Sequence, residues 1–97
     1  MKNYLLLNDL QVKEELGKKI RNYRIDLGWS QQDLANKSGI SLHSVSNIEN
    51  GKDFVINNLI SVLRAFNLID NLDLLIPDTV ANPFDVAKGI MERKRVR

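Results

Sequence analysis

The sequence predicts an all-α fold, a compact bundle of five helices followed by a short C-terminal helix or basic tail. Three observations predict it: helix-capping signals recur along the chain, apolar residues return at helical spacing, and strand-like alternation is nearly absent. Only residues 4–7 could extend, as a lone edge strand. Ninety-seven residues, 43% of them hydrophobic and none of them cysteine, suffice for one domain with a modest core and no disulfide.

Four sites combine a capping residue, a polar partner three positions later and a pair of flanking apolar residues. Together these devices satisfy the free amides at a helix start and fix the entry angle of the chain. The cap and partner residues are Asn8 and Gln11, Ser30 and Asp33, Ser41 and Ser44, and Asp70 and Asp73. Each pair predicts that a helix begins there.

The first three helices are bounded by these caps and by residues that stop a helix. The first is predicted over about residues 9–27, because one face is apolar and Gly28 supplies a left-handed stop. That apolar face consists of Val12, Leu16, Ile20, Tyr23 and Leu27. The next two helices are short, covering residues 31–38 before Gly39 and residues 42–49 before Asn50-Gly51.

Three further helices complete the prediction. Apolar residues between positions 59 and 66 mark the fourth, and three residues compete for its start: Asp53, Val55 and Asn57. The fifth runs from Asn71 and stops before Pro77. Asn82 followed by a proline is a cap with a first-turn residue, which predicts a sixth helix from Pro83 to about Glu92.

The net charge of +2 is concentrated at the C-terminal end. Residues 78–97 hold five Lys or Arg and three Asp or Glu, and the rest of the chain is balanced. A charge this small cannot by itself drive nucleic-acid binding, so any such function must rest on geometry. The basic tail is either a solvated end or a contact for DNA or an acidic partner, through Arg93, Lys94, Arg95 and Arg97.

Several classes of protein are excluded by what the sequence lacks. No apolar run approaches the roughly 18 residues of a membrane span or the core of a signal peptide, so we expect a cytoplasmic protein without membrane contact. His43 is the single histidine and cysteine is absent, which leaves no ligand set for a metal. No nucleophile with a supporting base and no glycine-rich phosphate loop occurs, so neither enzymatic activity nor a cofactor is expected.

Residues 28–52 have the spacing of a helix-turn-helix, two helices of about two turns joined by the connector Ser38-Gly39-Ile40. In such a unit the second helix lies in the DNA major groove, with its N-terminal residues at base edges. The side chains that would face inward and lock the two helices together are Leu34, Ala35, Ile40, Val45 and Ile48. Those on the other face of the second helix are Leu42, His43, Ser46 and Asn47.

The same stretch resembles a known family. The patterns RxxxGWSQxxLA, SGIS and SxIENGK follow one another as they do in the lambda-repressor-like, Xre/Cro-type helix-turn-helix proteins, and the resemblance covers about residues 12–68. A second resemblance, over residues 62–77 and the tail from Asn82, is to the HipB-type antitoxins that accompany HipA-like kinases. The first implies a dimeric repressor that binds double-stranded DNA at a palindromic operator, and the second implies an antitoxin that inhibits a kinase and regulates its own transcription.

The family pattern also implies roles for individual residues. It places Leu42, His43 and Asn47 against bases, and it assigns phosphate or water-mediated contacts to Gln31, Ser44, Ser46, Asn50 and Lys52. It further implies a structural ion pair between Arg24 and Glu49. Where amide side chains often stand in phage repressors, this chain has Leu42 and His43, and an apolar Leu42 can pack only on a thymine methyl.

Some of these residues also have structural interpretations. His43 is either a contact in the DNA groove or a solvent-exposed side chain, and contact is favoured because His43 lies on the second helix of the helix-turn-helix. Trp29 and Tyr23 could stack on single-stranded nucleic acid, but their positions in apolar patterns favour the core.

The residues divide into an N-terminal arm (1–8), a helix-turn-helix domain (9–77) and a C-terminal extension (78–97). A homodimer is expected, because the last two helices hold more apolar residues than a core of this size needs. These residues are Leu72, Leu75, Ile76, Phe84, Val86, Ile90 and Met91.

Overall fold

The computed structural model describes residues 3–79, and this part of the chain is entirely helical apart from its turns. Its five α-helices are α1 (Asp9–Asp26), α2 (Gln31–Ser38), α3 (Leu42–Glu49), α4 (Ile56–Ala65) and α5 (Leu72–Leu75). Two short 3-10 helices, Tyr4–Leu6 and Ile69–Asn71, precede α1 and α5. The predicted all-α fold is confirmed. The predicted sixth helix and the basic tail lie outside the described residues.

Three of the four predicted caps are present. Gln11 N donates to Asn8 Oδ1 at 2.8 Å, and Asn8 N donates back to Gln11 Oε1 at 2.9 Å. Ser30 and Asp33 form the same reciprocal pair at the start of α2. At α3 the cap is formed in the same way, with Ser41 Oγ accepting from the Ser44 amide at 3.0 Å, but the Ser44 side chain bonds the Ser41 hydroxyl and not the Ser41 amide. These local bonds explain why the predicted bounds of α2 and α3 agree with the structure.

Two local predictions were wrong. Residues 4–7 do not extend as a strand: the backbone N–H of Leu7 donates to Tyr4 O at 3.1 Å, and the Leu5 amide donates to Asn3 Oδ1. An isolated strand would leave these groups without partners, whereas the 3-10 turn pairs them locally. Asp70 does not cap a helix, because it already lies inside the second 3-10 helix, and Asn71 precedes α5 without a side-chain cap.

Helix α4 begins after Val55, one of the three candidates, and no side chain caps it. Just beyond its last residue, Ala65, the chain turns at Asn67, which is in the left-handed conformation with φ of 62°. Leu68 N then donates back to Leu63 O at 2.8 Å. This turn sends the chain directly into Ile69–Asn71, which explains why the predicted cap at Asp70 is not formed, although the fifth helix starts within one residue of the predicted Asn71.

The hydrophobic core lies between α1, α2, α3 and α4. Its buried members are Ile20, Leu34, Ala35, Val45, Ile48, Val62 and Phe66. Four of the five residues predicted to face inward are thus buried, and Ile40 packs against them half-buried. Trp29 and Tyr23 stack on Phe66, with ring centroids 5.8 and 4.7 Å away, although Tyr23 also keeps an exposed edge. Their aromatic rings therefore belong to the fold, as predicted.

Candidate nucleic-acid interface

The turn between α2 and α3 fixes the angle of the two helices. Gly39 ends α2 in the left-handed conformation with φ of 75°, and its amide donates to Ala35 O at 2.9 Å. Only two more residues follow before α3 begins, and the second of them, Ser41, is the cap. A glycine at this position lets the chain reverse without strain, so that α3 packs on both α2 and α1.

Helix α3 has one buried and one open face. Val45 and Ile48 are buried in the core. On the other side Leu42 is 44% exposed, His43 is exposed and Asn47 is half-buried. The structure therefore places the three predicted base-facing residues on the surface of one helix, with a buried face that holds that surface in position.

A buried ion pair holds the C-terminal end of α3. Arg24 Nε donates to Glu49 Oε2 at 2.7 Å and its Nη2 donates to Glu49 Oε1 at 3.0 Å, a two-point contact between α1 and α3. The two side chains are only 10% and 2% exposed. The hydrogen bond that Arg24 donates to Glu49 raises the pKa of Arg24 above its ordinary value, so the guanidinium stays charged.

This pair is the centre of a larger network. A third guanidinium nitrogen, Arg24 Nη1, donates to Trp29 O at 2.8 Å, and Gln31 Nε2 donates to Glu49 Oε1 at 3.1 Å. The network therefore joins α1, the start of α2 and the end of α3. The contact of Gln31 with Glu49 was not predicted, since no local signal connects residues 18 positions apart.

Gly17 is a second feature that the sequence did not single out. A Cβ atom at this residue would lie 2.7 Å from the backbone oxygen of Glu49, which is closer than real Cβ contacts allow. Helix α1 therefore packs directly on the backbone at the end of α3. The glycine and the ion pair together fix the distance between α1 and the C-terminal end of α3.

The five residues assigned to phosphate contacts lie on α3 or near its ends, and all but Lys52 have a side-chain hydrogen-bond partner within the protein. Ser44 Oγ accepts from Ser41 Oγ at 2.8 Å, and Ser46 Oγ accepts from Asn50 Nδ2 at 3.2 Å. Asn50 and Lys52 are exposed after the end of α3, while Gln31 is half-buried. Their contacts with DNA stay predictions, and Gln31 would have to bind phosphate while bonded to Glu49.

Within residues 3–79, no cluster of side chains is suited to hold a metal ion. None of the helices in this range is long and apolar enough to cross a membrane.

Two short helices at a glycine turn, the second with an open face and a buried anchor, define a helix-turn-helix protein of the DNA-binding class. Residues 20–70 match the family model described as helix-turn-helix, of the Xre and lambda-repressor-like type. The match covers more than half of the chain, and the protein belongs to this family. The family's function is sequence-specific DNA binding in transcription regulation. None of the curated proteins compared with this chain matches it.

Proposed function

We propose that this protein is a dimeric transcriptional repressor that reads a palindromic operator with the open face of α3. The observation that carries the proposal is the contrast between the two faces of this helix. One face is buried with Val45 and Ile48, and its end is tied down through Glu49. The other presents Leu42, His43 and Asn47, so that base edges meet side chains held on a rigid support.

Asn47 is the residue on this face best suited to read a base. Its amide offers both a donor and an acceptor, the combination that bonds N7 and N6 of adenine in the major groove. Lys52 and Asn50, exposed beyond the C-terminal end of the helix, would then lie near the phosphates and set its register. Leu42 supplies apolar contact for a thymine methyl.

The base-reading role is tested by comparing Asn47→Ala with the parent protein on a selected operator and on random duplex, by fluorescence anisotropy. We expect a loss of roughly 1–3 kcal/mol on the operator and little change on random DNA. Asn22→Ala is the matched control, because Asn22 lines a groove formed by α1 and the end of α4 rather than the open face of α3. Equal losses on both DNAs would show that Asn47 does not read a base.

The dimer is proposed from the apolar surface at the end of the described chain. Leu72, Leu74, Leu75 and Ile76 are 53, 80, 72 and 75% exposed. Covering this surface with a second copy would bury it, and the dimer would then read two half-sites about 34 Å apart or a multiple of that distance. Truncation after Asp78 tests whether the C-terminal extension completes the dimer. A shift of the sedimentation-equilibrium mass toward monomer supports this, whereas an unchanged dimer means that the contact lies on α5 or on residues 4–7.

The alternative is that the protein is an antitoxin that binds and inhibits a HipA-like kinase, with DNA binding as autoregulation. The two candidates differ in what the isolated protein does. Operator binding at nanomolar concentration by a homodimer supports the repressor. A monomer that binds the operator only when the kinase is added supports the antitoxin.

A further inference from the structure

His43 and Asn47, one helical turn apart on α3, are hydrogen-bonded to each other. Asn47 Nδ2 lies 3.2 Å from His43 Nε2. Because an amide nitrogen can only donate, the ring nitrogen must accept, and the ring then carries its proton on Nδ1. The side chain proposed to read a base is therefore already bonded to its neighbour before DNA arrives.

This bond decides which groups of the amide are left for DNA. A carboxamide has two N–H donors and one acceptor oxygen. With one N–H bonded to His43, the remaining groups of Asn47 are one N–H and Oδ1. These are the groups that pair with N7 and N6 of adenine.

The opposite arrangement follows if Nε2 carries a proton. Nε2 then donates, and Asn47 has to turn its amide so that Oδ1 accepts the bond. Both N–H groups then point away from the ring. Two donors match the two acceptors of guanine, O6 and N7, and no longer match adenine.

We propose that His43 is a positioning residue for Asn47 and sets its base preference, for adenine when Nε2 accepts and for guanine when Nε2 donates. The inference rests on the proposed function, since it requires Asn47 to face a base. It adds a specificity-determining residue that acts through another side chain rather than by its own contact with DNA.

The ring of His43 does not form an ion pair with any of the charged side chains on or near α3 in the described part of the chain. Glu49, the acid on α3, is bonded to Arg24 of α1 and to Gln31 of α2. On α2, Asp33 is bonded to the Ser30 amide, and Lys37 lies over the Trp29 ring at 5.0 Å. None of the ion pairs between described residues includes His43. A proton on Nε2 would therefore reverse the direction of the bond to Asn47 without breaking any salt bridge.

The test uses two operators that differ only in adenine or guanine at the position where Asn47→Ala loses discrimination. Histidine changes its charge between about pH 5 and pH 8, so binding is measured by anisotropy near pH 8 and near pH 5.5. At the higher pH we expect adenine to be preferred roughly tenfold, the size of one good bidentate contact. At the lower pH the preference should shift toward guanine by a similar factor.

Two variants serve as matched controls. The amide of His43→Gln does not change its charge with pH, so the base preference of this variant should be the same at both pH values. The amine in His43→Lys only donates, so it should prefer guanine at both. Because His43 is exposed, both variants are expected to fold, which thermal melts will show.

Two results would overturn the inference in different ways. If Asn47→Ala loses discrimination but the parent protein keeps one base preference at both pH values, Asn47 reads a base and His43 does not position it. If no operator position depends on Asn47, the base-reading part of the proposed function fails as well. A parent protein that changes preference while His43→Gln does not supports the inference.

Discussion

Removing Glu49 is expected to destabilise the protein before any DNA is added. Glu49→Ala leaves the guanidinium of Arg24 almost buried with only Trp29 O as a partner, and it leaves Gln31 Nε2 without its acceptor. Deprotonation cannot relieve the arginine, because its pKa already lies beyond any working pH. The folded state therefore keeps a buried charge without its partner, and its free energy rises.

The magnitude follows from the burial of the pair. Removing one partner of a buried ion pair costs about 3–5 kcal/mol. The lower end of that range applies because Arg24, whose side chain is 10% exposed, keeps some contact with water and its bond to Trp29 O. For a domain of 60–100 residues each kcal/mol lowers the melting temperature by about 4–8 °C, which gives a fall of roughly 12–24 °C. A small domain has about 5–15 kcal/mol of total stability, so the variant should still fold in the cold.

The assay is thermal unfolding followed by circular dichroism, with urea unfolding as a second measure. Lys13→Ala is the matched control, since it breaks the exposed contact with Asp53 and should leave the melting temperature nearly unchanged. Replacing both partners together, Arg24→Met with Glu49→Leu, should recover much of the loss, because no buried charge is left over. A Glu49→Ala protein that melts with the parent would refute the structural role of the pair.

Two further predictions concern the packing and the capping of the helices. Gly17→Ala should lower the free energy of unfolding by roughly 1–3 kcal/mol, measured by urea unfolding, because the new Cβ would displace the end of α3. This loss should outweigh the higher helix propensity of alanine. A more stable variant would show that the two helices do not approach so closely. Hydrogen bonds from the Ser30 backbone and hydroxyl hold the pKa of Asp33 below its ordinary 3.8. The stability that this carboxylate contributes is therefore present above that value and is lost as the pH falls through the lower pKa of the folded state. The advantage of the parent over Asp33→Asn should shrink in acid, and an advantage that is constant with pH would contradict the assignment.

The sequence predicts α2 and α3 well because their signals are local. A serine cap acts within three residues, and a glycine in the left-handed conformation ends a helix at its own position. The same logic fails at Asp70, whose sequence pattern resembles a cap. The left-handed turn at Asn67, three residues before Asp70, had already sent the chain into a 3-10 helix, and an asparagine does not by itself mark such a turn.

The contacts that α1 and α2 make with the end of α3 could not be predicted in the same way. Gly17 supports α3 because the backbone of Glu49, 32 positions later, lies against it. Gln31 supports α3 because its side chain donates a hydrogen bond to the same glutamate. Periodicity shows which residues share a face of one helix, but it does not show which backbone another helix will meet. The Arg24–Glu49 pair was expected from the family resemblance and not from spacing.

The two faces of α3 separate the residues that hold the protein together from those that we propose to contact DNA. The helix is anchored mainly by the buried residues Val45, Ile48 and Glu49 and by its close approach to Gly17. Leu42 and His43 are exposed and contribute nothing to the core, so changes there cost little stability. If this face reads DNA as proposed, a bond between two of its side chains, such as the one from Asn47 to His43, can change the preferred base while the scaffold stays the same. In that case the base preference of the protein can change at residues that its stability does not require.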